Sequence, residues 1–167
     1  MKFLAIIPIV ALALAGYFFF QDQNLQKPKI ETVGWKTYSE KIFTLKYPNT
    51  WQSDGKTKTI GAPLGASGGG MLSLMVNAPE YNISKLFCFQ KENETEIKVD
   101  GQIATRILLD GVTNKNCNTS YESMVIVTVK KNTNKVDLVF GYENSSRLEQ
   151  EKLFDQILGT FRFLDEK

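Results

Sequence analysis

The chain has no histidine among its 167 residues. That removes the usual general base from any Ser-His-Asp or Cys-His arrangement, and the commonest nitrogen ligand from any zinc site. Cysteine is nearly as scarce. Cys88 and Cys117 stand far apart in the chain, without the close pairing of a structural zinc site. Neither sign of charge dominates, with 20 basic against 18 acidic residues and a net charge of +2. A balance this even excludes general attraction to nucleic acid or anionic lipid. No internal repeat is visible.

What is present is ordinary globular material. Hydrophobic residues make up 43% and charged residues 23%, enough for one folded domain of this length. Part of the hydrophobicity is concentrated in residues 3–20, an uncharged run preceded only by Lys2 and the amino terminus. It is at the lower limit for a helix crossing a bilayer core of about 30 Å. Ala13-Leu14-Ala15 also matches a signal-peptidase site, whose cleavage would release a secreted protein. The run continues through Tyr17-Phe18-Phe19-Phe20, which favours an uncleaved anchor over cleavage there. Either way, positive charge before the run places residues 35–167 outside the cytoplasm, at a cell membrane or secreted. Residues 21–34 are polar, carry Pro28 and lack a period, as a tether does.

In the domain, Phe43, Leu45 and Tyr47 alternate with Thr44 and Lys46, the pattern of a half-buried strand. Pro48 cannot donate to a ladder and ends it, and Trp51 can then fold back as an apolar plug on the sheet. Residues 53–70 carry six glycines and read as a mobile connection. Leu72, Leu74 and Val76 form a second alternating strand. Asn82 can cap a short helix whose Ile83, Leu86, Phe87 and Gln90 share a face. Residues 91–96 read as a polar break, and Asp100-Gly101 as a tight turn between strands. Residues 110–119 read as an Asn-rich loop. Residues 121–131 and 135–142 are strands of one hairpin about Asn132-Thr133-Asn134. Ser146 and Glu149 suit a capping box opening a helix through about Leu158, which Gly159 stops. Phe161 and Phe163 alternate in a last short strand.

Chemistry-bearing patterns are few. Gly65-Ala66-Ser67-Gly68-Gly69 fits the nucleophile elbow of serine hydrolases, but no buried strand precedes it and no histidine is available. A small serine hydrolase using Ser67 is the alternative reading. The same loop lacks the Lys-Ser/Thr pair of a phosphate cradle. Residues 110–122 lack the ligand alternation of a calcium loop. Asn82, Asn93, Asn118 and Asn144 each begin a glycosylation sequon. Cys88 and Cys117, an even pair in an oxidising compartment, are a possible disulfide. Trp35 and Tyr38 are a possible binding surface, with a core or domain-edge role as the alternative. No catalytic, metal or cofactor residue is assigned.

Tyr38, Phe43, Leu45, Tyr47, Pro48 and Trp51 at the front resemble the PsbP-like family, named for the extrinsic subunit of photosystem II. So do Val99-Asp100-Gly101 in the middle and Phe154, Ile157, Leu158, Thr160, Phe161 and Phe163 at the back. The short, membrane-anchored bacterial members are the better likeness. The resemblance implies an α+β fold, an antiparallel sheet of about six strands flanked by helices in an α/β/α sandwich, behind an N-terminal apolar helix. Photosynthetic members assist photosystem II and help it retain calcium and chloride, but no residue here matches an ion site. It implies no enzyme and no cofactor. The expectation is a non-enzymatic extracytoplasmic domain, held at the membrane through residues 1–20, acting on an unknown protein partner or small ligand. An envelope structural protein or a photosystem II-related accessory protein are further readings.

Overall fold

The alternation at residues 43–47 becomes strand β2 (Phe43–Tyr47), with Phe43, Leu45 and Tyr47 buried and Lys46 in solvent. Strand β1 (Lys36–Ser39) pairs with one edge of it and the two-residue β10 (Arg162–Phe163) with the other, all antiparallel. This computed structural model describes residues 32–63, 69–79, 88–111 and 121–165. The unit to which they belong begins at Thr32. The anchor and most of the tether lie outside the described residues, among which no helix is long and apolar enough to cross a membrane.

The main sheet has seven antiparallel strands where about six were expected. They are β3 (Gln52–Asp54), β4 (Thr59–Gly61), β5 (Met71–Val76), β6 (Phe89–Val99), β7 (Gln102–Gly111), β8 (Ser123–Lys131) and β9 (Asn134–Tyr142). Their order is β3-β4-β5-β9-β8-β7-β6. The hairpin expected at residues 132–134 joins β8 to β9, and Asp100-Gly101 joins β6 to β7 with both residues at positive φ. Central β9 is buried from Val136 to Tyr142. It is apolar on both faces but for Asp137, whose Oδ1 accepts the Thr128 hydroxyl at 2.7 Å and whose Oδ2 pairs with Lys135 at 3.1 Å.

Helix α1 (Arg147–Thr160) buries Phe154, Ile157 and Leu158 and packs on both β2 and β9. The core is aromatic. Phe154 stacks on Phe140 at 5.0 Å, Phe161 on Phe43 at 5.2 Å, and Phe163 meets Phe161 edge-on at 5.0 Å. Each such side chain contributes about 1.5–3 kcal/mol by leaving water. Trp51 is buried and its ring stacks on Phe140, while its backbone N–H donates to the Pro48 carbonyl at 3.0 Å, closing the turn after the strand.

Five expectations need correction. Residues 53–70 are not one mobile connection, because β3 and β4 form within them and bury Ile60. Residues 91–96 are not a break but the middle of β6. They occupy a sheet edge, where polar side chains hide the strand period and protect the open ladder. Gln90 belongs to that strand rather than to a helix face, while Asn82, Ile83, Leu86 and Phe87 lie outside the described residues. Gly159 does not stop α1, which runs on to Thr160. The Thr160 hydroxyl donates to the Ile157 carbonyl at 2.7 Å and accepts the Lys46 N–H at 2.8 Å, tying the helix end to β2. At the other end Ser146 is the N-cap residue but makes no side-chain capping bond. A three-ten turn (Asn144–Ser146) precedes the helix there. One α-helix is found among the described residues, so the plain description is two antiparallel sheets and a C-terminal helix.

Candidate functional site

Antiparallel register sends five turns and strand ends to one end of the domain. Val76 is opposite Val136, Lys131 opposite Asn134, and Val99 opposite Gln102. The β1–β2 turn and the residues after β10 reach the same end, where the Leu164 N–H bonds the Ile42 carbonyl at 2.8 Å. Between the sheets there opens a cleft of about 1080 Å³. Ile42, Val76 and Leu164 give it an apolar floor, and Lys41, Lys58, Glu40, Asp165, Asn77 and Asn134 a polar rim.

Its walls are held by specific contacts. The Tyr38 hydroxyl donates to Glu40 Oε1 at 2.8 Å, and Lys58 Nζ is 3.4 Å from the same oxygen. The hydrogen bond from Tyr38 holds the Glu40 carboxyl below its ordinary value. Burial, with Glu40 alongside, pushes the tyrosine up. Asn77 adopts a φ of 51°, a left-handed conformation that asparagine tolerates. Its Oδ1 accepts the Lys135 N–H and its own N–H donates to the Lys135 carbonyl, both at 2.8 Å, locking β5 to β9 at the mouth. Lys131 Nζ pairs with Asp165 at 3.1 Å and rests 5.9 Å above the Phe163 ring. Such a surface can form ion pairs and bury an apolar side chain. Among the described residues that line it, no serine or cysteine stands beside a base. A volume near 1000 Å³ suits a peptide segment or small molecule.

At the opposite end is a charged cluster about the start of α1. Arg147 reaches Glu92 at 2.6 Å, Glu151 at 2.9 Å and Asp110 at 3.2 Å. Glu151 also accepts the Tyr142 hydroxyl at 2.9 Å and faces Arg106 at 3.3 Å. The Ser123 hydroxyl bonds Asp110 at 3.0 Å and also contacts Asn144. These bonds join the helix to β6, β7 and β9, and their carboxylates are already engaged. Among the described residues, no group of three acidic or cysteine side chains is placed to hold a metal.

The residues singled out from sequence fall elsewhere. Tyr38 is buried and touches the cleft only through Glu40, while Trp35 is half-buried against the core. Cys88 stands immediately before β6; Cys117 and Ser67 lie outside the described residues. The cleft residues were missed because Glu40 and Asp165 are 125 positions apart and form no motif. Part of the glycine-rich stretch has a packing explanation. A Cβ on Gly70 would come 2.2 Å from the Phe140 ring.

No family model and no curated protein matches this chain. Solved structures do. The cyanobacterial PsbP (CyanoP) of Synechocystis sp. PCC 6803 superposes with a TM-score of 0.54 at 13% identity, covering 83% of this chain and 98% of that one. A Pseudomonas aeruginosa protein of unknown function, described as a putative regulator, gives a TM-score of 0.41 at 12% identity, covering 80% and 97%. The first likeness is one of fold: this chain is PsbP-like in architecture.

Proposed function

We propose that this chain is a non-enzymatic, extracytoplasmic contact domain of the PsbP-like, α/β/α-sandwich kind. It is held at a membrane through residues 1–20 and engages a protein or small ligand at the turn-end cleft. The observation that carries this reading is the cleft itself. Apolar Ile42, Val76 and Leu164 lie open beneath a rim of lysine, carboxylate and amide groups, a surface suited to recognition. The fold shared with cyanobacterial PsbP supports it, as does a chain without histidine. Two measurements test it together. In intact cells or spheroplasts the full-length protein should fractionate with membranes and expose residues 35–167 to external protease. A fluorophosphonate probe should leave Ser67 unlabelled. A soluble protein beginning at Gly16, or labelling abolished by Ser67→Ala, would overturn the corresponding half of the proposal.

A further inference from the structure

A second, smaller groove of about 400 Å³ lies on the face of the main sheet opposite α1. Its position follows from register. Gln52, Gly61, Met71 and Gly141 form one row across β3, β4, β5 and β9, and Asp54 and Thr59 begin the next row on the same face. Phe140, one residue along β9, points the other way and stacks on Phe154 of α1. Strand β3 ends the sheet, and its residues are all exposed. Tyr121 is the far wall. It is half-buried, and its ring packs over Gly141, where a Cβ would come within 2.7 Å of it.

The groups that line the groove exclude most ligands. Among the described residues there, none is a lysine or arginine, so a phosphate or carboxylate ligand would meet only the like charge of Asp54. Met71 is the one large aliphatic side chain, too little floor for a lipid chain or an apolar peptide. What remains is an amide, hydroxyls, one carboxylate and an aromatic ring. Gln52 and Thr59 both donate and accept, while the ionised Asp54 only accepts. The Lys56 N–H bonds Asp54 Oδ1 at 2.9 Å and holds that carboxyl below its ordinary value. Burial pushes the Tyr121 phenol up, so it keeps its proton. Sugar hydroxyls likewise donate and accept, and the C–H face of a sugar ring is drawn to the electron-rich face of an aromatic one.

We propose that this groove binds a neutral saccharide, with a sugar ring against Tyr121 and its hydroxyls bonded by Gln52, Asp54 and Thr59. The sugar is held and not cut, since glycoside cleavage takes a pair of carboxylates and Asp54 is the one that lines the groove. The site is independent of the turn-end cleft, which lies by Val76 at the other end of β5 from Met71. A free oligosaccharide and the glycan strand of an envelope polymer share this chemistry.

The test uses the full-length chain in micelles of a detergent without a sugar headgroup. Saturation-transfer NMR reads binding of chitotetraose, cellotetraose and maltotetraose, and co-sedimentation reads binding to purified peptidoglycan sacculi. We expect binding in at least one arm, weakened by about tenfold in Gln52→Ala, whose side chain is in solvent and whose fold is not at risk. Tyr121→Leu, which keeps bulk over Gly141 but loses the ring, should weaken it too. Lys58→Glu, at the cleft, should leave it unchanged. Capture of a free oligosaccharide assigns a soluble sugar, and capture of sacculi alone assigns the polymer strand; either supports the groove. No binding in any arm overturns the proposal, as does binding that Gln52→Ala leaves intact or that Lys58→Glu abolishes. Should Tyr121→Leu fail to fold, Gln52→Ala decides.

Discussion

The rings of Trp51 and Phe140 stack with centroids 6.0 Å apart and planes 22° from parallel, joining the turn after β2 to central strand β9. Trp51 comes from the small sheet's connection and Phe140 from the large sheet's middle. The pair therefore helps fasten one sheet to the other.

Truncating that plug should be costly. Trp51→Ala removes a buried aromatic, at about 3–5 kcal/mol against a typical domain stability of about 5–15 kcal/mol. Half-buried Trp35 should cost less when changed to alanine. Thermal melts of the two variants check this, and a Trp51→Ala melt matching the wild type would contradict the packing described.

The stretch about Trp51 was legible in sequence because its signals are local. Strict alternation, a proline stop and one large aromatic are adjacent residues. The β8–β9 hairpin was legible for the same reason. Edge strand β6 was not, since solvent-facing residues such as Glu94 and Glu96 carry no period. The cleft was least legible. Its lining comes from turns far apart in the chain, and only antiparallel register brings Lys58, Asn77, Asn134 and Asp165 together.

Gly70→Ala should destabilise the domain through overpacking rather than backbone strain. Its Cβ would press on Phe140, and moving that ring disturbs its stacks on Trp51 and Phe154. A cost of about 1–3 kcal/mol is expected. Denaturant titration measures it, and a loss below half of that range would show that Phe140 can move aside.

Acid stability should depend on Glu151. Burial alone would raise its pKa, but hydrogen bonds from Arg147 and Tyr142 and the nearby guanidinium of Arg106 bring it below the ordinary 4.5. A lowered folded-state value means that ionised Glu151 adds stability above pH 4.5, and that this is lost as pH falls through the folded value. Glu151→Gln should therefore flatten the acid limb of a stability–pH curve. An acid limb as steep as that of the wild type would contradict the assignment.

We propose that Cys88 and Cys117 form a disulfide in the mature protein. An even pair of cysteines, in the extracytoplasmic setting proposed for this domain, motivates the proposal. Mass spectrometry without reduction should find the two peptides linked. Recovery of both cysteines alkylated from the native protein would refute it.

The central claim, that the turn-end cleft is where this domain makes contact, is tested most directly by site-specific photocross-linking in native membranes. A photoreactive amino acid at Asn134 lies on the cleft wall, and the same probe at Thr95 lies on the exposed edge strand β6. Illumination should yield a discrete cross-linked species from position 134, diminished by Lys58→Glu, and none from position 95. Equal capture from both positions, or capture from 95 alone, would show that contact is made elsewhere.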